Sequence, residues 1–265
     1  MRKKLGLALG AGGSRGVAHI GFLQALSEEN VVPDFVTGCS MGAVVGACYC
    51  SGLTPEEMKE VAFKVKLKKI AAFNVAPLHA NGLMRMSRTH KLLGSLIGAE
   101  TTFADLKIPF ACVATDLVEG RLVVFNEGNV VGAVVASSSI PGAFTPAKRG
   151  EYNMLVDGGI LERVPTAQLR DMGAEVIIAV DVLGDLASAK RATGKLANTL
   201  LRCIDVMDTH ITRHIRAERD YIDLWLEPAL GNMDQYKIKR LSFAYEQGYV
   251  LGKEHAGAIK KLIGE

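Results

Sequence analysis

The chain has 265 residues, 49% hydrophobic and 22% charged, with 28 Gly and 8 Pro, proportions that suit a folded enzyme and exclude a disordered chain or a coiled coil. A formal charge of +3 is too mild for a dedicated nucleic-acid binder, though it remains compatible with transient contact with an anionic membrane surface. Five cysteines, at 39, 48, 50, 112 and 203, are odd in number and irregularly spaced, which suggests neither a disulfide framework nor a metal site and points to a reducing, cytoplasmic compartment.

Met1-Arg2-Lys3-Lys4 ahead of an apolar run has the outline of a signal peptide, but the run soon ends in Gly10-Ala11-Gly12-Gly13-Ser14-Arg15, too glycine-rich and too early charged for export. No stretch reaches the roughly 18 apolar residues of a membrane span. A soluble protein, at most peripheral at the inner membrane surface, is expected. Leu5–Leu9 reads as a strand and Val17–Leu26 as a helix, with the glycine cluster between them. Asp34–Gly38 is a second strand and Met41–Tyr49 a small-residue helix, with Ser40 at the junction. Thr54-Pro55-Glu56-Glu57 is a helix start, with a cap, a proline at the first position and acids in the first turn, and predicts a helix to about Lys69. The stretch 73–98, with Pro77, Gly82, Gly94 and Gly98, is the least regular.

Strands are predicted at Ile108–Ala114 and Arg121–Phe125 around a turn at Glu119-Gly120, then a helix at Val130–Ser138. After a loop around Lys148-Arg149-Gly150, Tyr152–Val156 is a strand that runs into Asp157-Gly158-Gly159. Val176–Val182, apolar except for Asp181, has the character of a central parallel strand. A long helix at Asn198–Arg219, a strand at Tyr221–Leu226 and a helix at Ser242–Ile263 follow. This alternation predicts one α/β domain over 1–265, its mixed, mostly parallel sheet covered on both faces.

Gly38-Cys39-Ser40-Met41-Gly42 fits G-x-S-x-G and sits between a predicted strand and helix, where a nucleophilic serine is presented on a tight turn. The bland alternative is Ser40 as a helix N-cap. The loop Gly10 to Gly16 offers backbone N–H groups at a helix N-terminus, a nest for a phosphate or an oxyanion. Against a dinucleotide site stand the crowding by Arg15 and the Ser40 turn where a ribose-binding acid belongs. Of the six histidines, none lies in a glycine-flanked loop at a strand end, and His210 and His214 read as a solvated helix face. Asp157 follows a strand directly, with two glycines holding the backbone open beside it, and is the better base.

Gly12-Gly13-Ser14-Arg15-Gly16, Gly38-Cys39-Ser40-Met41-Gly42, Ala136-Ser137-Ser138-Ser139-Ile140-Pro141 and Asp157-Gly158-Gly159 fall in the order and approximate spacing of the patatin-like phospholipases, and the chain resembles that family over residues 5 to about 165. The resemblance implies a three-layer α/β sandwich and a Ser40–Asp157 dyad without histidine. It also implies Gly38 and Gly42 shaping the nucleophile elbow, Gly158 and Gly159 flanking the base, and an oxyanion hole from Gly12, Gly13, Ser14 and Arg15. The implied reaction is hydrolysis of lipid acyl esters without metal or organic cofactor. Ala11 departs from the pattern, standing where many members carry a third consecutive glycine.

Two other functions fit the same residues: an acyltransferase that passes the acyl-serine to an acceptor, and a non-enzymatic regulator that retains the fold. A basic amphipathic helix carrying Lys59, Lys64, Lys66, Lys68 and Lys69, followed by apolar Phe73, Leu78, Leu83, Met84 and Met86, suggests a lid over residues 73–98 that docks on anionic lipid; an ordinary solvated helix face is the alternative.

Overall fold

In the computed structural model, which describes residues 1–64, 86–184 and 196–265, eight strands form one sheet. In chain order the elements are β1 (Leu5–Leu9), α1 (Val17–Glu28), β2 (Phe35–Gly38), α2 (Met41–Ser51), α3 (Pro55–Lys64), α4 (Ser87–Ile97), β3 (Phe110–Asp116), β4 (Arg121–Phe125), α5 (Val130–Ser137), β5 (Ala147–Arg149), β6 (Tyr152–Asp157), α6 (Ala167–Asp171), β7 (Val176–Val180), α7 (Leu196–Glu218), β8 (Leu224–Leu226) and α8 (Leu241–Ile263). The path runs β5-β6-β3-β2-β1-β7-β8, with β4 also paired to β3. Five strands, β3, β2, β1, β7 and β8, are parallel, whereas β4 and β6 run antiparallel to β3. This is the mixed, mostly parallel α/β sheet expected from the alternation of elements.

Burial on both faces explains the composition of the central strands. Leu5, Leu7 and Leu9 of β1, with Val176, Ile178 and Val180 of β7, join the larger core beneath α1, α2, α5 and α8. Ala8, Ile177 and Ala179, one step out of phase, pack on the other face with Leu169 of α6. Neither strand therefore has room for a polar residue. Helix α1 is buried from Val17 to Leu26 because it lies between the sheet and α8. The two helices touch backbone to backbone: a Cβ at Gly248 would stand 1.9 Å from the Ala18 carbonyl oxygen.

Several boundaries differ from the sequence expectation for local reasons. The strand foreseen at Ile108–Ala114 starts after Pro109 and extends to Asp116, where Arg121 of β4 pairs with it. Ala147–Arg149, expected as loop, is the short edge strand β5, bulged against β6. Helix α4 occupies much of the stretch read as irregular; Gly94 lies inside it, and Gly98 ends it at φ 93°. The strand expected at Tyr221–Leu226 shortens to Leu224–Leu226, because the Asp223 carboxylate takes the Ile177 N–H. Helix α3 is seen to Lys64; Lys66, Lys68, Lys69 and residues 73–85 of the suggested lid lie outside the described residues. Two lysines of the basic face are already engaged, Lys59 over the Tyr245 ring at 4.3 Å and Lys64 with Glu60 at 2.6 Å.

Candidate active site

The strand pairings bring two distant glycine-flanked residues together. β4 takes one edge of β3, while β2 and β6 divide the other, β2 opposite Phe110–Cys112 and β6 opposite Ala114–Asp116. Because β2 and β6 run in opposite directions, their last residues converge on the middle of β3, Gly38 facing Cys112 and Asp157 facing Ala114. Ser40 and Asp157 meet at that point.

Ser40 has φ 54° and ψ −120°, a conformation that L-residues rarely adopt and that turns the chain from β2 straight into α2. Its side chain makes no capping bond to the helix, so the N-cap alternative fails. The sharp turn drives the backbone of α2 onto β1: a Cβ at Gly42 would lie 2.1 Å from the Leu9 carbonyl oxygen. The Ser40 N–H donates to Ser137 Oγ at 2.9 Å, and the Asp157 N–H donates to the Ser139 carbonyl at 3.0 Å. The serine-rich segment thus clamps both residues, a role not evident from its sequence.

Asp157 is buried; its carboxylate accepts hydrogen bonds from the Gly159 N–H at 2.9 Å and the Cys39 thiol at 3.6 Å, and the Ser40 hydroxyl is a third donor close enough to lower its pKa. Burial pushes its pKa up to about 6, and the three donors only partly offset that rise. Among the described residues no cation partners it. The group is therefore ionised at neutral pH yet remains an effective proton acceptor.

The glycine loop stands beside this pair. Gly10 and Ala11 donate to the carbonyls of Val180 and Arg163, so the first half of the loop is fixed by β7 and by the segment after β6. Two of the four N–H groups expected to face an oxyanion are occupied within the protein, Ser14 by the Gln235 carbonyl and Arg15 by that of Gly12. Among the described residues the N–H groups of Gly12 and Gly13 have no acceptor. Gly13 has φ 49°, and a Cβ there would lie 2.4 Å from the Gln235 oxygen, so only glycine fits. Arg15 is buried, and its guanidinium donates to the carbonyls of Val182, Gly231 and Met233, which makes it a brace for the loop and leaves no reach to an anionic head group.

His19 is fully buried, its Nε2 hydrogen-bonded to the Gly10 carbonyl at 2.8 Å, and burial lowers its pKa to about 4. It holds the loop as a neutral ring. His90, His210 and His214 are exposed, and His255 bonds the Leu251 carbonyl within its own helix, while His79 lies outside the described residues. Sequence reasoning missed the buried network in which Arg163 binds Asp181 at 2.6 Å and Asp208 at 2.8 Å. Among the described residues no cluster of side chains could hold a metal ion, and no helix is long and apolar enough to cross a membrane.

The fold and this site define an α/β protein with a serine on a strand-to-helix elbow, next to a buried aspartate and a glycine-rich loop. Residues 7–170 match the family model for patatin-like phospholipases, and the chain belongs to that family. It is 35% identical over 188 residues, 71% of its length and 51% of the relative's, to an uncharacterised NTE family protein of Mycobacterium tuberculosis. It is 31% identical to a lysophospholipase of Coccidioides immitis, covering 99% of this chain and 18% of that one. The chain thus spans about half the length of the mycobacterial relatives it matches, or less for longer ones. Among solved structures it superposes on VipD from Legionella pneumophila with a TM-score of 0.62 at 14% identity, covering 97% of this chain and 67% of that one.

Proposed function

We propose that the chain is a serine acyl hydrolase acting on lipid acyl esters. The observation that carries this reading is the placement of Ser40, on its strained elbow, beside a buried Asp157 that has no cation partner among the described residues. Asp157 takes the Ser40 proton as Oγ bonds to the acyl carbon, and the carbonyl electron pair moves onto oxygen. The N–H groups of Gly12 and Gly13 hold that oxyanion, each contributing about 3–4 kcal/mol to lowering the barrier. Collapse expels the alcohol, which leaves with the proton from Asp157, and water repeats the sequence on the acyl-serine. A carboxylate with a pKa near 6 suits such a shuttle, being ionised at pH 7 and still basic enough to accept the proton. Membership in the patatin-like phospholipases and the likeness to a lysophospholipase support a lipid substrate.

The test is turnover on p-nitrophenyl esters, lysophospholipids and acyl-CoAs, with and without an alcohol acceptor, alongside labelling by a serine-directed phosphonate probe. Ser40→Ala and Asp157→Asn are each expected to lose at least about a thousandfold in kcat, and the double variant little more, because the two act as one proton-transfer unit. Retained turnover in Asp157→Asn would remove the dyad.

A further inference from the structure

The residue that precedes the nucleophile makes a contact that the mechanism leaves unused. The Cys39 thiol is fully buried and meets Asp157 Oδ1 at 3.6 Å, and the Gly159 N–H meets the same oxygen at 2.9 Å. A carboxylate rotates freely about its last torsion unless it is tied, and one donor still lets it swing about that contact. Here two donors come from different elements, the end of β2 and the loop after β6. Cys39 itself is immobile: its N–H donates to the Leu9 carbonyl at 3.1 Å, and its side chain packs with Ala11 and Val113.

We propose that Cys39 is a positioning residue which, with the Gly159 N–H, pins Oδ1 of Asp157 and leaves Oδ2 to receive the Ser40 proton. This rests on the serine hydrolase reading above. Burial and the neighbouring Asp157 hold the Cys39 thiol well above its usual range, so it stays a donor at every working pH. The other groups around the pair are the Thr115 hydroxyl on the Asp157 carbonyl, the Cys112 thiol on β3, and Asp208 of α7, itself bound to Arg163. A thiol is a weak donor. It orients the carboxylate while lowering its proton affinity little, whereas a hydroxyl at the same place would be a stronger donor and pull that affinity down.

Two variants of similar size therefore have opposite effects. Cys39→Ala is expected to raise the Asp157 pKa by about half a unit and lower kcat with KM held, and Cys39→Ser to lower that pKa. The readout is a carbon-13 carboxyl NMR titration of the full chain, with Asp157 assigned by its loss in Asp157→Asn, beside the pH profile of kcat. Cys50→Ala, which removes another buried thiol, is the control and leaves the titration in place. Cys39→Val, which fills the space without a donor, substitutes if the alanine variant fails to fold. Shifts in the same direction for the alanine (or valine) and serine variants, or none at all, overturn the proposal. Opposite shifts in a chain that hydrolyses no ester would instead sink the hydrolase reading and leave the Cys39 contact standing.

Discussion

Asp157 and Asp181 both stand at strand ends, both are buried, and each accepts the N–H of the residue two positions on, Gly159 at 2.9 Å and Leu183 at 3.1 Å. Their surroundings differ in one respect. Arg163 reaches Asp181 at 2.6 Å and continues to Asp208, whereas the partners of Asp157 are all uncharged. The same local turn thus holds one carboxylate against a cation and leaves the other among neutral donors. On the proposed reading, it is the lack of a countercharge among the described residues that suits Asp157 to trade a proton.

Removing the cation should have the largest effect on stability. Arg163→Met leaves Asp181 and Asp208 buried without their countercharge, and a loss of about 3–5 kcal/mol is expected in urea unfolding. Asp157→Asn should act in the opposite sense while abolishing turnover. The folded pKa near 6 lies above the unfolded value, so the folded state holds the extra proton, and the cost of the charge appears as pH rises from about 4 to about 6. The variant is therefore expected to gain up to about 3 kcal/mol at pH 7 and nothing at pH 4, measured by urea unfolding at both. Asp181→Asn at pH 7 should lose stability, and a gain there would erase the contrast.

In turnover, kcat should fall as pH drops through about 6, where Asp157 takes up its proton. Replacing His210 and His214 by Gln should leave that limb unmoved. The smallest effect concerns the loop: His19→Leu removes the bond to the Gly10 carbonyl and is expected to lower kcat about tenfold by displacing the oxyanion donors, again without moving the acid limb.

Much of this was legible in the sequence, because it was written in local signals. The apolar runs at Leu5–Leu9 and Val176–Val180 required a doubly covered sheet, and the glycines around Ser40 and Asp157 marked open turns at strand ends. What stayed hidden depends on partners far along the chain. Ser14 N–H could not be known to be occupied until Gln235 was seen against it, nor could Arg163, Asp181 and Asp208 be joined while they lay on separate elements. Helix α4 was hidden for a different reason: a glycine at 94 reads as a breaker, although the apolar contacts of Leu93 hold the turn.

The cladding of α1 by α8 bears on how the chain comes off the ribosome. Phe22 and Ala25 on the second element are covered by Gly252 and its neighbours on the last one, so this apolar strip has no native cover until nearly everything between has been made. At ordinary elongation rates that wait is on the order of tens of seconds. During it, the emerging polypeptide carries a sticky apolar helix whose native cover is still unmade.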